Sequence, residues 1–446
     1  MVGVKRKTTS TLSSVKPVFD WGNEDDLNSD SEASVVSDTI ETDSEEMKES
    51  ASEKRIRLAK EYLEKLQHDQ SKSEDEDEGE KPSPTGITGG DAIAVKLAAH
   101  AKASQGKLFH RIASQMMDFE FDQASSKSFR GHKLSVTALA LSGDGHFAVT
   151  AAKDGSIVKW NIGTFEKQKL QFPAKKDDAK PISEQKKCVL SLAVDFNGDY
   201  IVSGGCDKVV RVWDAKTLKH KESFSGHRDT ISSLCFRENS LMLFSGSHDR
   251  TIKHWNLKEM GYVETLFGHQ SEIQGIHSLR NERVVSVSSD RSVRLWKIPE
   301  ETQLVFNGAG SIDCVQMVNE QYYVTGGDAG SLTLWFNGKK KAAYTVHHAH
   351  GEGNWIASVA MRPHTDLLAS GSCDGQIRLW RIDLEKRSIL PVGSIPVNGF
   401  VNALAFESSG KFLVAGIGQE HRLGRWSRIG GVKNGLTVVA LPELTV

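Results

Sequence analysis

The stretch SGSHDRTIKHW, Ser245–Trp255, places a serine, a histidine and an aspartate within five residues of one another. These are the residue types of a hydrolase triad, but such a triad is assembled from separated segments so that base and orienting acid line up end to end on the nucleophile. Ser245, His248 and Asp249 are too close along one chain for that. What decides their reading is that the stretch recurs.

Tryptophans fall at Trp160, Trp213, Trp255, Trp296, Trp335, Trp380 and Trp426, spaced by 53, 42, 41, 39, 45 and 46 residues. Six residues before a tryptophan stand Asp154, Asp207, Asp249, Asp290 and Asp374; ten before stand Thr150, Ser203, Ser245, Ser286, Thr325 and Ser370. Gly-His dipeptides at Gly131-His132, Gly226-His227 and Gly268-His269 precede their tryptophans by 27 or 28 residues. A period near 40 with β-branched runs and Gly/Asp turns predicts an all-β, seven-bladed propeller of four-stranded blades over residues 126–446. SKSF (Ser126–Phe129) and LTVVAL (Leu436–Leu441) are both candidates for the strand that closes the ring.

This pattern resembles the WD-repeat family. The resemblance implies a brace in each blade, in which the tryptophan N–H, a Ser/Thr hydroxyl, the Gly-His histidine and the turn aspartate are joined by hydrogen bonds. A buried polar network stabilises only when every member is satisfied, so these residue types recur together. Three blades carry the set: His132/Thr150/Asp154/Trp160, His227/Ser245/Asp249/Trp255 and His269/Ser286/Asp290/Trp296. His248 is then merely a turn residue. The second repeat has no Gly-His, the fifth has Ala309 and Ala329 at the histidine and aspartate places, and the seventh has Gly416 and Glu420 for Ser/Thr and Asp. Blades five and seven are expected to be the softer part of the ring or to be held by a partner. HHAH, His347–His350, has no acidic or cysteine companion and reads as a solvated loop rather than a metal site. With no phosphate-binding glycine loop and no nucleophile elbow, no enzyme activity, metal or cofactor is expected.

Charge divides the chain. Residues up to Ser125 hold 16 Lys+Arg against 26 Asp+Glu, leaving 40 against 32 for the remainder. An acidic arm before a basic body suggests contact with nucleic acid or an intramolecular tail. Residues 1–49 are rich in Ser and acid, too poor in apolar side chains to offset the entropy of ordering, and carry acid-flanked serines such as Ser29 and Ser44, with Ser73 another in the linker that follows. The basic run Val4–Lys7 has the composition of a nuclear import signal. Over 50–68 a capping box (Ser50, Glu53) and an apolar stripe of Ile56, Ala59, Leu63 and Leu66 predict an amphipathic helix presented to a partner groove. An acidic linker (69–90) and a helical lead-in (91–125) follow. Five scattered cysteines without a CxxC suit a reducing compartment, and the absence of a signal-like or membrane-length apolar run gives the expectation of a soluble intracellular protein with no membrane partner and no small-molecule substrate.

Propellers bind on their faces, and the resemblance to the WD pattern implies that the aspartate turns share one face with the loops preceding Gly-His. Lys153, Lys208, Arg250 and Arg291 adjoin the turns of blades one to four, His421 and Arg422 that of blade seven, with Arg425 close by; Arg130, Lys133 and Arg228 flank Gly-His, and Lys175 and Lys176 belong to the loop Pro173–Lys187 leading into blade two. Such an arc of positive charge would be rewarded by phosphate backbones through counterion release. Arg211, Lys253, Arg294 and Arg378, each two residues before a tryptophan, are assigned to packing within the blades.

Finer motifs, among them AAKDGSIVKW, GHRDTISSLCFR, SHDRTIKHWN, WKIPEETQLVF and VAGIGQEHRLGRW, are similar to those of the WD-repeat proteins of the U3 small nucleolar ribonucleoprotein from about Ser52 onward. That resemblance implies a non-catalytic nucleolar subunit. It would recognise the box B/C region of U3 small nucleolar RNA with the small kink-turn-binding ribonucleoprotein, beside other small-subunit pre-ribosome proteins, in pre-rRNA processing. The family's double tryptophan after LGR is here Trp426-Ser427. The competing class is a protein-only scaffold, such as a ubiquitin-ligase substrate receptor, which favours aromatic and arginine pockets over a lysine-rich arc.

Overall fold

A computed structural model describes residues 109–117, 119, 121, 126–170 and 188–442. The acidic arm, the 50–68 helix with Ile56, Ala59, Leu63 and Leu66, the linker, and Lys175 and Lys176 lie outside these residues.

Alternating β-branched and small residues, interrupted by Asp/Gly turns, fold into seven four-stranded antiparallel sheets. Blade one is built from Val136–Leu141, Phe147–Ala152, Ile157–Asn161 and Lys167–Lys169, from the inside of the ring outward. The innermost strands of blades two to seven, Val189–Val194, Ile231–Phe236, Ile273–Ser278, Ile312–Met317, Ser358–Met361 and Phe400–Phe406, follow one another round an axial channel and return to Val136–Leu141. In blades one to five and seven the register shifts by a bulge near the start of this strand, at Thr137, Leu190, Ser232, Gln274, Asp313 and Asn402. A bulge re-aims a side chain, which becomes important at the channel.

The apolar side chains meet between neighbouring blades. Val149, Ala151 and Ile157 of blade one pack with Leu192, Ile201 and Trp213 of blade two, and the same arrangement recurs round the ring. Close approach explains the glycine in SGS: a Cβ on Gly246 would sit 2.5 Å from Cδ1 of Ile276 in the next blade. Any side chain there would push blades three and four apart.

Both candidate closing strands are used. Gly435–Ala440 forms the third strand of blade seven, and Ser126–Arg130 pairs with it as the outermost, with Ser126 opposite Val439 and Arg130 opposite Gly435. The first strand thereby closes a ring whose last blade comes from the other end of the chain. Of the helical lead-in expected over 91–125, the described part is a short 3-10 turn, Ala113–Met116. Its start is held by Asp366, whose carboxylate accepts the amides of Ile112 (2.8 Å) and Ala113 (2.9 Å), while Ile112 and Met116 enter the core between blades six and seven.

Candidate nucleic-acid interface

The brace begins at the indole. In blade three, Trp255 Nε1 donates to Ser245 Oγ (2.8 Å), Ser245 Oγ meets His227 Nε2 (2.7 Å), and His227 Nδ1 meets Asp249 Oδ2 (2.9 Å). Asp249 also accepts the amides of Arg228 and Thr251 and the Thr251 hydroxyl. Burial pushes the Asp249 pKa up, but the His227 and Thr251 bonds outweigh burial and hold it well below the usual carboxylate range. Blade four repeats this with Trp296, Ser286, His269 and Asp290. Blade one differs: Trp160, Thr150 and His132 are joined as expected, but His132 Nδ1 meets Ser156 Oγ at 2.6 Å, and Ser156 in turn binds Asp154. Ser156 thus bridges His132 and Asp154 in place of the direct histidine–aspartate bond of blades three and four.

A fourth brace went unread in the sequence. His350 is 1 % exposed and bonds Ser370 Oγ (2.7 Å) and Asp374 Oδ2 (2.8 Å), with Trp380 Nε1 donating to Ser370. The expectation of a solvated loop fails for His350. It is preceded by Ala349 rather than glycine and stands 30 residues before its tryptophan, so neither the dipeptide nor the spacing marked it. Among the described residues, blades two and five show the first link of the brace, Trp213 to Ser203 and Trp335 to Thr325. In blade two Asp207 binds Arg211 instead. Lys253, Arg294 and Arg378 also find partners within their own blades, at Thr265, Gln303 and Asp374, as blade packing requires.

By holding the aspartate, the brace holds the turn that carries it. The turns lie against the loops leading into the same blades, through Lys153 N to Ser135 O, His248 N to Thr230 O and Ser289 N to Glu272 O, so turns and loops share one face. The residue after the aspartate in each turn is left-handed: Gly155 (φ 76°), Lys208 (68°), Arg250 (68°), Arg291 (66°) and Gly375 (76°). Glycine adopts this conformation freely, whereas a residue with a Cβ does so at a cost. Three consecutive blades, two to four, thus place a cation where glycine would be easier.

Arg250 and Arg291 are exposed and form no ion pair with another described residue, and Arg130, Lys133 and Arg228 are exposed on the same face. Lys208 is exposed but tied to blade three, donating to Arg228 O (2.7 Å) with Asp229 3.8 Å away. Lys153 departs from its expected role: it is partly buried, donates to Gly424 O (3.0 Å) and pairs with Glu420 at 3.4 Å. Burial lowers its pKa and the nearby Glu420 charge partly restores it. Arg425 remains exposed while binding the same Glu420 carboxylate at 3.1 Å. Positive charge is therefore freest over blades three and four and partly neutralised between blades seven and one.

Blade seven contains the largest corrections. Trp426 is not on the third strand. It lies in a long connection, residues 419–434, between Phe412–Gly418 and Gly435–Ala440, and is 62 % exposed. The place opposite Leu413 that a blade tryptophan would occupy is taken by Val439, which packs toward blade six, and the hydroxyl's place falls to Ala415. His421 is buried, and Arg422 points down the channel rather than over the rim. Its backbone N–H donates to the bulged Asn402 side chain (3.0 Å), and its guanidinium crosses to the carbonyl of the bulged Gln274 in blade four (3.0 Å). There Asp313, whose pKa burial pushes up to about 6 against the pull of Arg422, lies close by. Above the channel His421 stacks on Trp355 with centroids 4.6 Å apart and planes 7° apart, and Trp426 leans on both. Trp355 carries no repeat signature, so spacing alone could not reveal it.

Seven blades, tryptophan braces and turns presented on one face define a WD40 propeller, and the WD domain, G-beta repeat model matches residues 123–161, 180–214, 218–256, 261–297 and 341–381. Among relatives, U3 small nucleolar RNA-interacting protein 2 of mouse is 39% identical, the match covering 89% of this chain and 84% of the relative. U3 snoRNP-associated protein-like EMB2271 of Arabidopsis thaliana is 34% identical over 94% of this chain and 91% of that one. A solved structure described as "Structure of U3-55K" shares 41% identity, covers 72% of this chain and all of the solved one, and superposes with a TM-score of 0.68. The chain belongs to the family of U3 small nucleolar ribonucleoprotein-associated WD-repeat proteins.

Proposed function

We propose that this protein is a non-catalytic RNA- and protein-binding subunit of the U3 small nucleolar ribonucleoprotein, working in the nucleolus in pre-rRNA processing toward the small ribosomal subunit. The turn face of the propeller would meet the box B/C region of U3 RNA beside the small kink-turn-binding protein, with other pre-ribosome proteins on the remaining surface. The observation that carries this reading is the run of left-handed cationic turns at Lys208, Arg250 and Arg291. Backbone strain retained at an exposed charged position is accounted for when that charge meets a ligand. Arginine adds bidentate geometry toward phosphate.

Affinity for U3 RNA measured against salt tests it. Wild-type binding should fall steeply, and Arg250→Ala with Arg291→Ala should weaken it and reduce the slope of log K against log salt by about 2, near 0.9 per lost phosphate contact. The thermal midpoint should not move, because neither side chain belongs to a brace. A flat salt dependence in the wild type would instead favour the protein-only scaffold.

A further inference from the structure

The connection 419–434 is long, yet it is tied down at many points. The Gln419 amide donates to Asn434 Oδ1 and its side chain to Val432 O; Glu420 N donates to Ser135 Oγ; Arg422 reaches Asn402 and Gln274. Rigid anchoring of this kind would be unnecessary for a solvated connection. What the anchors hold up is Trp426, largely exposed, leaning on the parallel Trp355–His421 pair.

Two further observations point to a ligand. His421 is 3 % exposed, and its Nε2 has no hydrogen-bond partner. Since Nδ1 accepts the Leu423 amide (3.3 Å), the neutral ring carries its proton on Nε2, leaving a buried donor without an acceptor. The residues flanking the exposed indole in sequence, Arg425, Ser427 and Arg428, are polar and exposed, which suits a polar, charged ligand. A planar ring with cations at its edge and a vacant donor nearby matches a nucleobase: faces for stacking, carbonyl and ring-nitrogen acceptors on its rim, and a phosphate alongside.

We propose that Trp355, His421 and Trp426 form a stacking site for one unpaired nucleobase of the bound RNA, with Arg425 meeting the adjoining phosphate. This rests on the RNA-binding reading above and adds a base-dependent contact to a charge-dependent one.

The full chain with thiouridine-substituted U3 RNA separates the two. Photo-crosslinking should yield an adduct on the peptide bearing Trp426. Trp426→Ala should weaken U3 RNA binding about tenfold, within the range that removing one base–aromatic stack produces, leaving the salt slope and thermal midpoint unchanged, while Trp426→Phe should recover most of the loss. Wild-type affinity in Trp426→Ala, with Arg250→Ala and Arg291→Ala still weakening binding, would overturn the stacking site and leave the RNA reading intact. Absence of salt-dependent RNA binding in the wild type would overturn both, and unchanged RNA binding with loss of a protein component from Trp426→Ala particles would reassign the cluster to a protein contact.

Discussion

Blades three and seven occupy the same kind of place in one ring and are held in opposite ways. Blade three has a turn of few residues, clamped by a chain of buried hydrogen bonds from Trp255 to Asp249, and Arg250, proposed above to meet RNA, rides on that turn. Blade seven has no brace. Val439 fills the indole's place, and the turn has grown into a connection fastened from outside by Ser135 of blade one and Gln274 of blade four. A blade that satisfies its polar groups internally can present only a short turn. One that gives up the internal network can display a broad site, provided its neighbours supply the anchors.

The contrast can be broken most directly by Asp249→Ala. It strips acceptors from His227, Arg228 and Thr251 in a buried setting and should destabilise the protein by about 1–3 kcal/mol. The same change at Asp374 should cost a similar amount through His350. Chemical denaturation of both variants checks this, and a midpoint equal to wild type at either site would remove the brace from the account of that blade.

A smaller effect should come from acid. Burial holds His132 neutral, its pKa lowered to about 4, and lowers that of His269. A histidine whose folded pKa lies below its unfolded value of about 6.5 takes up its proton more readily when unfolded. Its contribution is complete above the unfolded pKa and is lost as pH falls from about 6.5 toward 4. The melting temperature should drop across that window before the low-pKa carboxylates Asp249 and Asp290 titrate, and His132→Asn should flatten the profile there. A wild-type melting temperature constant from pH 7 to 5 would contradict it.

The smallest change sharpens the comparison at blade seven. Glu420 neutralises Lys153 and Arg425, so Glu420→Gln should tighten U3 RNA binding a few-fold and steepen its salt dependence by up to about one unit. Filter binding at two salt concentrations reads both.

The repeat of tryptophan, hydroxyl and aspartate made the propeller and three braces legible, because a buried hydrogen-bonded chain tolerates few substitutions at fixed spacing. Where a loop length changed, the signal failed. His350 hid behind a spacing of 30 residues, and Trp426 mimicked a blade tryptophan while sitting in a connection.

Local chemistry therefore determined, from the chain alone, the all-β ring, its period, the brace residues and the cationic turns, since each depends on contacts within one repeat. Only tertiary structure decided that Lys153 is spent on Glu420, that Arg422 fills the channel, and that Trp355, His421 and Trp426 meet. Those outcomes join residues up to about 270 positions apart, as Lys153 and Glu420 are, and are set by the closure of the ring, which no local spacing encodes.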